Sequence, residues 1–344
     1  MISPKAVHLI IQHFDTIDRA VSKRLSRKRP WSEPSLTSLL CDLMDQETQN
    51  EEKLEYSIEN LNKDLSEIDG LLDVSFVIET HEYSPKVERW VTQSDIGFVI
   101  NFEDHLLPHE SWKASWLLQA KKLFPDSRNP LKYSEASRFQ SHDSKQAERI
   151  EILEENIGIK FIKYLLFCPR PENLDEITQK KLTHLRNIRL SENIFDHTLG
   201  LELRDELSKI DSSLSAGLFI SRIENYPRSL GAVHKDILNA STPFSWFIAS
   251  HLVSSGFLVN NPNNRNDRKS LRHSKRHMDE ENDSGKEEIV EALVKGQEEA
   301  IKYVVEMSCD DINMEFPILP PHTMTINIGV GTTLNSNLRQ IRID

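Results

Sequence analysis

Four apolar runs rich in β-branched and aromatic residues, 74–80, 94–102, 115–120 and 161–168, are separated by polar segments and stretches of helical period. Such runs suit strands, whose pleated surface favours these side chains. Helical periodicity precedes the first run, and a further helix is expected over about 141–155, before the fourth. The order helix, three strands, helix, strand leads to an α/β fold in which helices flank a mixed central sheet.

Residues 4–28 carry Val7, Ile10, Ile11, Phe14, Ile17 and Val21 at steps of three and four, one face of an amphipathic helix that must end at Pro30. A second helix starting at 32–35 puts Leu36, Leu39, Leu40, Leu43 and Met44 on one stripe. At 100° per residue Glu33 falls within that stripe, an unusual place for a charge. Residues 45–65 read as an exposed continuation or another helix.

Beyond Pro169 and Pro171 the pattern predicts helix over 175–215 and a short strand over 216–223. It leaves the type of the apolar run 246–258 open, then predicts a helix over 287–307 and a last strand over 323–330. Residues 260–288 run from Asn-rich to basic to acidic with almost no large apolar side chain, so a disordered or long surface loop is expected. The expected organisation is an N-terminal amphipathic helix (1–30), a core (31–170) and a mainly helical α+β accessory region (171–344).

The formal net charge of −12 argues against a globally basic surface that coats nucleic acid. Local basic patches remain at Lys23, Arg24, Arg27, Lys28 and Arg29 and across 265–276. No apolar run spans a bilayer, and the amino terminus lacks the uninterrupted apolar core of a signal peptide, so a cytoplasmic protein without a membrane partner is expected. Cys41, Cys168 and Cys309 lie too far apart in sequence to suggest a disulfide framework or a zinc motif.

One feature of the third run carries chemistry. Gln119 and Lys121 project from the same face of a strand, about 7 Å apart. If the run opened by Asp95 pairs beside it, a carboxylate, an amide oxygen and an ammonium group converge at one end of a sheet. Mg²⁺ takes oxygen ligands and keeps several waters, so Asp95 and Gln119 supply a plausible part of its shell, and Glu33 can complete it directly or through water. His105 and His109 have a metal-like spacing, but Pro108 between them breaks a helix, and they read as loop residues.

These residues resemble the restriction-endonuclease-like superfamily, the PD-(D/E)xK phosphodiesterases, in the variant whose last motif reads QxK. The resemblance covers about residues 31–170: the helix with Glu33, the strand opened by Asp95, Gln119-Ala120-Lys121, and a helix with Gln146 and Arg149. It implies a restriction-endonuclease-like core and a metal-dependent endonuclease that hydrolyses DNA, in a prokaryotic setting of defence against foreign DNA. Asp95, Gln119 and Glu33 would hold Mg²⁺ or Mn²⁺, and Lys121 would position or activate the attacking water; Gln146 and Arg149, three apart on one helix, are candidates to face the phosphate backbone, with solvent as the alternative. Glutamine at 119 removes one negative charge, which Glu88 is best placed to restore. RNA shares the same chemistry, and a homodimer or a partner protein of a defence system fits the setting. The alternative is a catalytically degenerate nuclease fold that binds protein or nucleic acid.

Overall fold

The computed structural model describes residues 2–51, 54–68, 74–82, 95–126, 132–139, 144–196, 214–224, 226–252, 284–295, 297 and 322–331. The first helix, α1 (Pro4–Leu25), starts where the Ser3 hydroxyl accepts the Ala6 N–H at 3.3 Å and stops at Ser26, short of Pro30. Its apolar face is wholly enclosed: Ile10, Phe14, Ile17, Val21 and Leu25 are buried. Helix α2 (Glu33–Met44) is capped by Ser32 and has proline in its first turn, where no intrahelical donor is lost. It buries the predicted leucine stripe. Helix α3 (Ile58–Ile68) takes up the second half of the segment read as continuation or helix.

The seven strands are β1 (Val74–Glu82), β2 (Ile96–Asp104), β3 (Trp112–Lys122), β4 (Ile162–Phe167), β5 (Leu218–Arg222), β6 (Ser241–Pro243) and β7 (His322–Val330). They form one mixed sheet in the order β1-β7-β2-β3-β4-β5-β6. Strands β3 and β4 are parallel and joined through α4 (Ser144–Ile157). Both are buried along nearly their whole length, which explains their unbroken apolar sequences. The other helices are α5 (Glu176–Asp196), α6 (Leu230–Lys235), α7 (Phe244–Leu252) and α8 (Ser284–Val294).

Helices cover both faces. Trp116 of β3 packs edge-on against Phe247 of α7, with ring centroids 5.1 Å apart. Lys113, an odd number of residues away and so on the opposite face, pairs with Glu291 of α8. On the first face Phe14, Phe76, Phe98 and Phe244 form an aromatic layer between α1 and the sheet, with centroid separations of 5.8–6.1 Å.

The α/β class with a mixed, helix-flanked sheet is as expected, but the strand order differs from the simplest reading. The last strand of the chain, β7, lies between β1 and β2, antiparallel to the first and parallel to the second. Residues 171–344, set apart in sequence as an accessory region, thus supply β5, β6 and β7 to the same sheet as residues 31–170. Of the segment expected to be disordered, residues 284–288 open α8 and the rest lies outside the described residues. The basic patch over 265–276 lies there too.

A buried ionic cluster ties these parts together. Arg170, fully buried just after β4, donates from Nη1 to Asp15 at 2.7 Å and to Asp18 at 3.1 Å, and from Nε to Glu172 at 2.9 Å. Asp18 also accepts the N–H groups of Gly217 at 3.0 Å and Leu218 at 2.8 Å, so α1 grips the start of β5. Burial pushes the Asp18 carboxyl up to about 6, against the pull of Arg170. Position 217 must be glycine: an added Cβ would lie 2.1 Å from Ser22 Oγ and 2.6 Å from the Cys168 carbonyl oxygen.

Candidate active site

Strand β3 runs beyond the start of β2, and two carboxylates take over where the ladder stops. Odd-numbered N–H groups of β3 donate to β4, as Leu117 does to Phe161 at 3.0 Å and Leu123 to Phe167 at 2.9 Å. The even-numbered ones face β2. Past Ile96 the N–H of Ala120 instead meets Asp95 Oδ2 at 2.7 Å, and that of Lys122 meets Glu33 Oε2 at 2.7 Å. The two donors are about 7 Å apart along the strand, so the carboxylates sit side by side on one edge.

The Asp95 backbone is fixed from both sides. Its N–H donates to the Leu118 carbonyl at 2.9 Å, and its carbonyl accepts the His322 N–H at 3.3 Å. Ile96 pairs with Leu118, so Asp95 stands opposite Gln119, whose Nε2 donates to Asp95 Oδ2 at 2.5 Å. The pairing of the 94–102 and 115–120 strands, on which the convergence depended, is therefore present.

Lys121 lies on the Gln119 face. Its Nζ sits 5.7 Å from the centroid of the Tyr164 ring on β4, a cation–π contact that restrains a long side chain. The Tyr164 ring leans on Tyr226, with centroids 4.8 Å apart. Burial raises the Tyr164 hydroxyl to about 12; Tyr226 is raised by burial first and also by neighbours that include Glu33. Both phenols are therefore neutral at physiological pH. Sequence reasoning missed this pair because a tyrosine within an apolar strand reads as core.

Glu33, half-buried as its stripe position implied, is raised above the usual carboxylate range by burial, opposed by the Lys122 N–H and by the ammonium groups of Lys121 and Lys122. Burial in turn lowers Lys122, against the attraction of Glu33. Glu33, Asp95, Gln119 and Lys121 thus share one end of β3, with Lys122 as an additional charge. Glu88 lies outside the described residues. Gln146 and Arg149 fall on α4, with side chains outside the described set.

The donor set matches a hard divalent cation in kind. Asp95 and Glu33 give two carboxylates, within the one or two that Mg²⁺ commonly uses. Gln119 turns its amide nitrogen to Asp95, so its oxygen would become a ligand only after the amide rotates. No cluster of three or more His, Cys, Asp or Glu residues suited to a metal occurs among the described residues.

Compared with known proteins, the chain matches no family model, no curated protein and no solved structure. The functional reading therefore rests on these residues and their geometry. No helix among the described residues is long and apolar enough to cross a membrane.

The Gln119–Asp95 contact predicts a particular variant. In Gln119→Glu a carboxylate replaces the donor beside Asp95 Oδ2, and the like charges raise the folded-state pKa of the pair. A raised carboxyl pKa means stability that is present at low pH and lost as pH rises through it. The melting temperature of Gln119→Glu will fall below wild type at pH 7.5, recover toward pH 5, and rise more than wild type on adding Mn²⁺. Differential scanning fluorimetry at both pH values, with and without Mn²⁺, reads all three changes.

Proposed function

We propose that this chain is a metal-dependent phosphodiesterase acting on nucleic acid, with its active centre at Glu33, Asp95, Gln119 and Lys121. The observation that carries the proposal is the convergence of two backbone-held carboxylates, an amide and a ring-restrained lysine at one strand end. The restriction-endonuclease-like variant of the fold, DNA as substrate and a cytoplasmic role in defence belong to the same proposal.

Asp95 and Glu33 would hold Mg²⁺ or Mn²⁺, with Gln119 contributing its oxygen after amide rotation. The ion would supply a lowered pKa for water and compensation of the charge that builds on the phosphoryl oxygens. Lys121 would orient the attacking water and stabilise its developing hydroxide character. As the water oxygen bonds to phosphorus and gives up a proton to solvent, the bond to the leaving ester oxygen breaks and that oxygen takes up a proton from solvent. The N–H bonds from Ala120 and Lys122 keep both carboxylates in position, so little ordering remains to be done when substrate arrives.

A second reading also has an observation behind it. Asp95 and Glu33 each use one oxygen on a backbone N–H, and Gln119 donates to Asp95, an arrangement that completes a strand end without any metal. On that reading the fold is a retained scaffold for binding. Calorimetric titration of Mn²⁺ separates the two: the phosphodiesterase reading expects saturable binding that Asp95→Ala abolishes, and no heat from wild type supports the scaffold.

A further inference from the structure

We propose that the cavity between the end of α1 and the segments following β3 and β4 is a phosphate-binding site, which grips a backbone phosphate of the strand presented to Glu33, Asp95 and Lys121. The inference deepens the phosphodiesterase reading and rests on it. The cavity has a volume of about 140 Å³, roughly ten times the ~10–15 Å³ that seats one water. Ser26, Arg27 and Lys28 form one wall, and Lys132 and Asn173 another.

Charge singles this cavity out. In a chain of net charge −12, it collects three cations and a single carboxylate, Asp175. None of Arg27, Lys28 and Lys132 has an ion-pair partner within 4.0 Å among the described residues, as is true of other surface cations such as Lys63 and Lys235; what sets the three apart is that they line one cavity. Asp175 accepts the Thr178 N–H at 3.1 Å and its hydroxyl at 2.9 Å at the start of α5 and also feels the charge of Lys132, so it offsets one of the three cations and leaves the cavity net positive. The Arg27 guanidinium lies 5.8 Å from the centroid of the Trp31 ring, on which Arg24 also sits at 5.1 Å. A ring that restrains the guanidinium reduces the ordering needed when a phosphate binds. The Ser26 hydroxyl and Asn173 amide add neutral donors of the kind that phosphate oxygens accept.

Its location matches the proposed centre. Pro30 on the wall is three residues before Glu33, and Pro125 is three after Lys122. Three residues reach at most about 11 Å, so the cavity lies beside the two segments that carry the candidate centre. A strand held here by one phosphate would present a nearby linkage to Lys121.

The test is fluorescence anisotropy of a labelled single-stranded DNA oligonucleotide in EDTA, so that cleavage plays no part. Lys28→Ala/Lys132→Ala will weaken binding at least tenfold and lower the slope of log K against log salt by about 0.7, the share of the one gripped phosphate on a single strand. The control Lys63→Ala/Lys235→Ala, which removes the same charge elsewhere on the surface, will bind as wild type does. Equal binding by the cavity variant and wild type overturns the site. Protection of wild type by inorganic phosphate, without binding of the oligonucleotide, also overturns it in favour of a free phosphate ligand. Wild type that binds through Lys28 and Lys132 but never cuts contradicts the phosphodiesterase reading alone.

Discussion

Replacing Arg170 by leucine will destabilise the protein by about 3–5 kcal/mol at pH 7.5, the usual cost of leaving buried charges without their partner. Asp18, with its side chain 3% exposed, would lose its only ion-pair partner among the described residues, and Asp15, 8% exposed, would keep only the partly exposed Arg19 at 3.0 Å. Total stabilities run to about 5–15 kcal/mol, so the variant would be near the edge of folding at neutral pH. The loss has a definite pH signature. Burial holds the Asp18 carboxyl at about 6 even with Arg170 present, above the ordinary 3.8 of an aspartate, and removing the guanidinium can only push it higher. A carboxyl raised in the folded state costs stability as pH rises through its folded value and costs nothing below the unfolded one. The Arg170→Leu deficit will therefore shrink as pH falls from 7.5 toward 5, and Asp18→Asn in the same background will recover part of it at pH 7.5. Urea denaturation at the two pH values measures both; a deficit independent of pH would show that the cluster acts by packing instead of charge.

The largest effect on activity belongs to Lys121. Lys121→Ala will lower phosphodiester cleavage by about 10²–10³-fold, the range seen when one preorganised electrostatic donor is removed. It will lower the melting temperature only modestly, because Lys121 is half-exposed and Glu33 keeps its bond from the Lys122 N–H. Lys122→Ala is the informative neighbour. Glu33 is held by the Lys122 backbone N–H, at 2.7 Å, and that bond survives the substitution. Its rate will fall less than tenfold. Equal losses in the two variants would mean that positive charge anywhere near Glu33 suffices, and that the Tyr164 ring under Lys121 does not set its position.

The part of the site built from local periodicity was legible in the sequence. Period two put Gln119 and Lys121 on one face, and the helical angle put Glu33 among leucines, where it is indeed half-buried. The place of β7 was not legible, because a strand's composition says nothing about a parallel partner more than 200 residues away. Tyr164 and Tyr226 were hidden for a related reason: an apolar environment is the ordinary setting of a buried ring, and only the fold brings Lys121 over one of them. Asp15 and Asp18 look like polar interruptions of an amphipathic helix, and Arg170 looks like a residue in a proline-rich turn. Their meaning exists only in the pairing of the two. Lys122 was overlooked because its contribution to the site is partly a backbone N–H, which no side-chain pattern reports.

The most direct test of the central claim is cleavage of supercoiled plasmid and single-stranded RNA by the full chain, in Mg²⁺ or Mn²⁺ and in EDTA. Metal-dependent cutting of at least one substrate by wild type, lost in Asp95→Ala as well as Lys121→Ala, is the expected result. Wild type that is folded yet cuts neither substrate with either metal, or Asp95→Ala that cuts as fast as wild type, would contradict it.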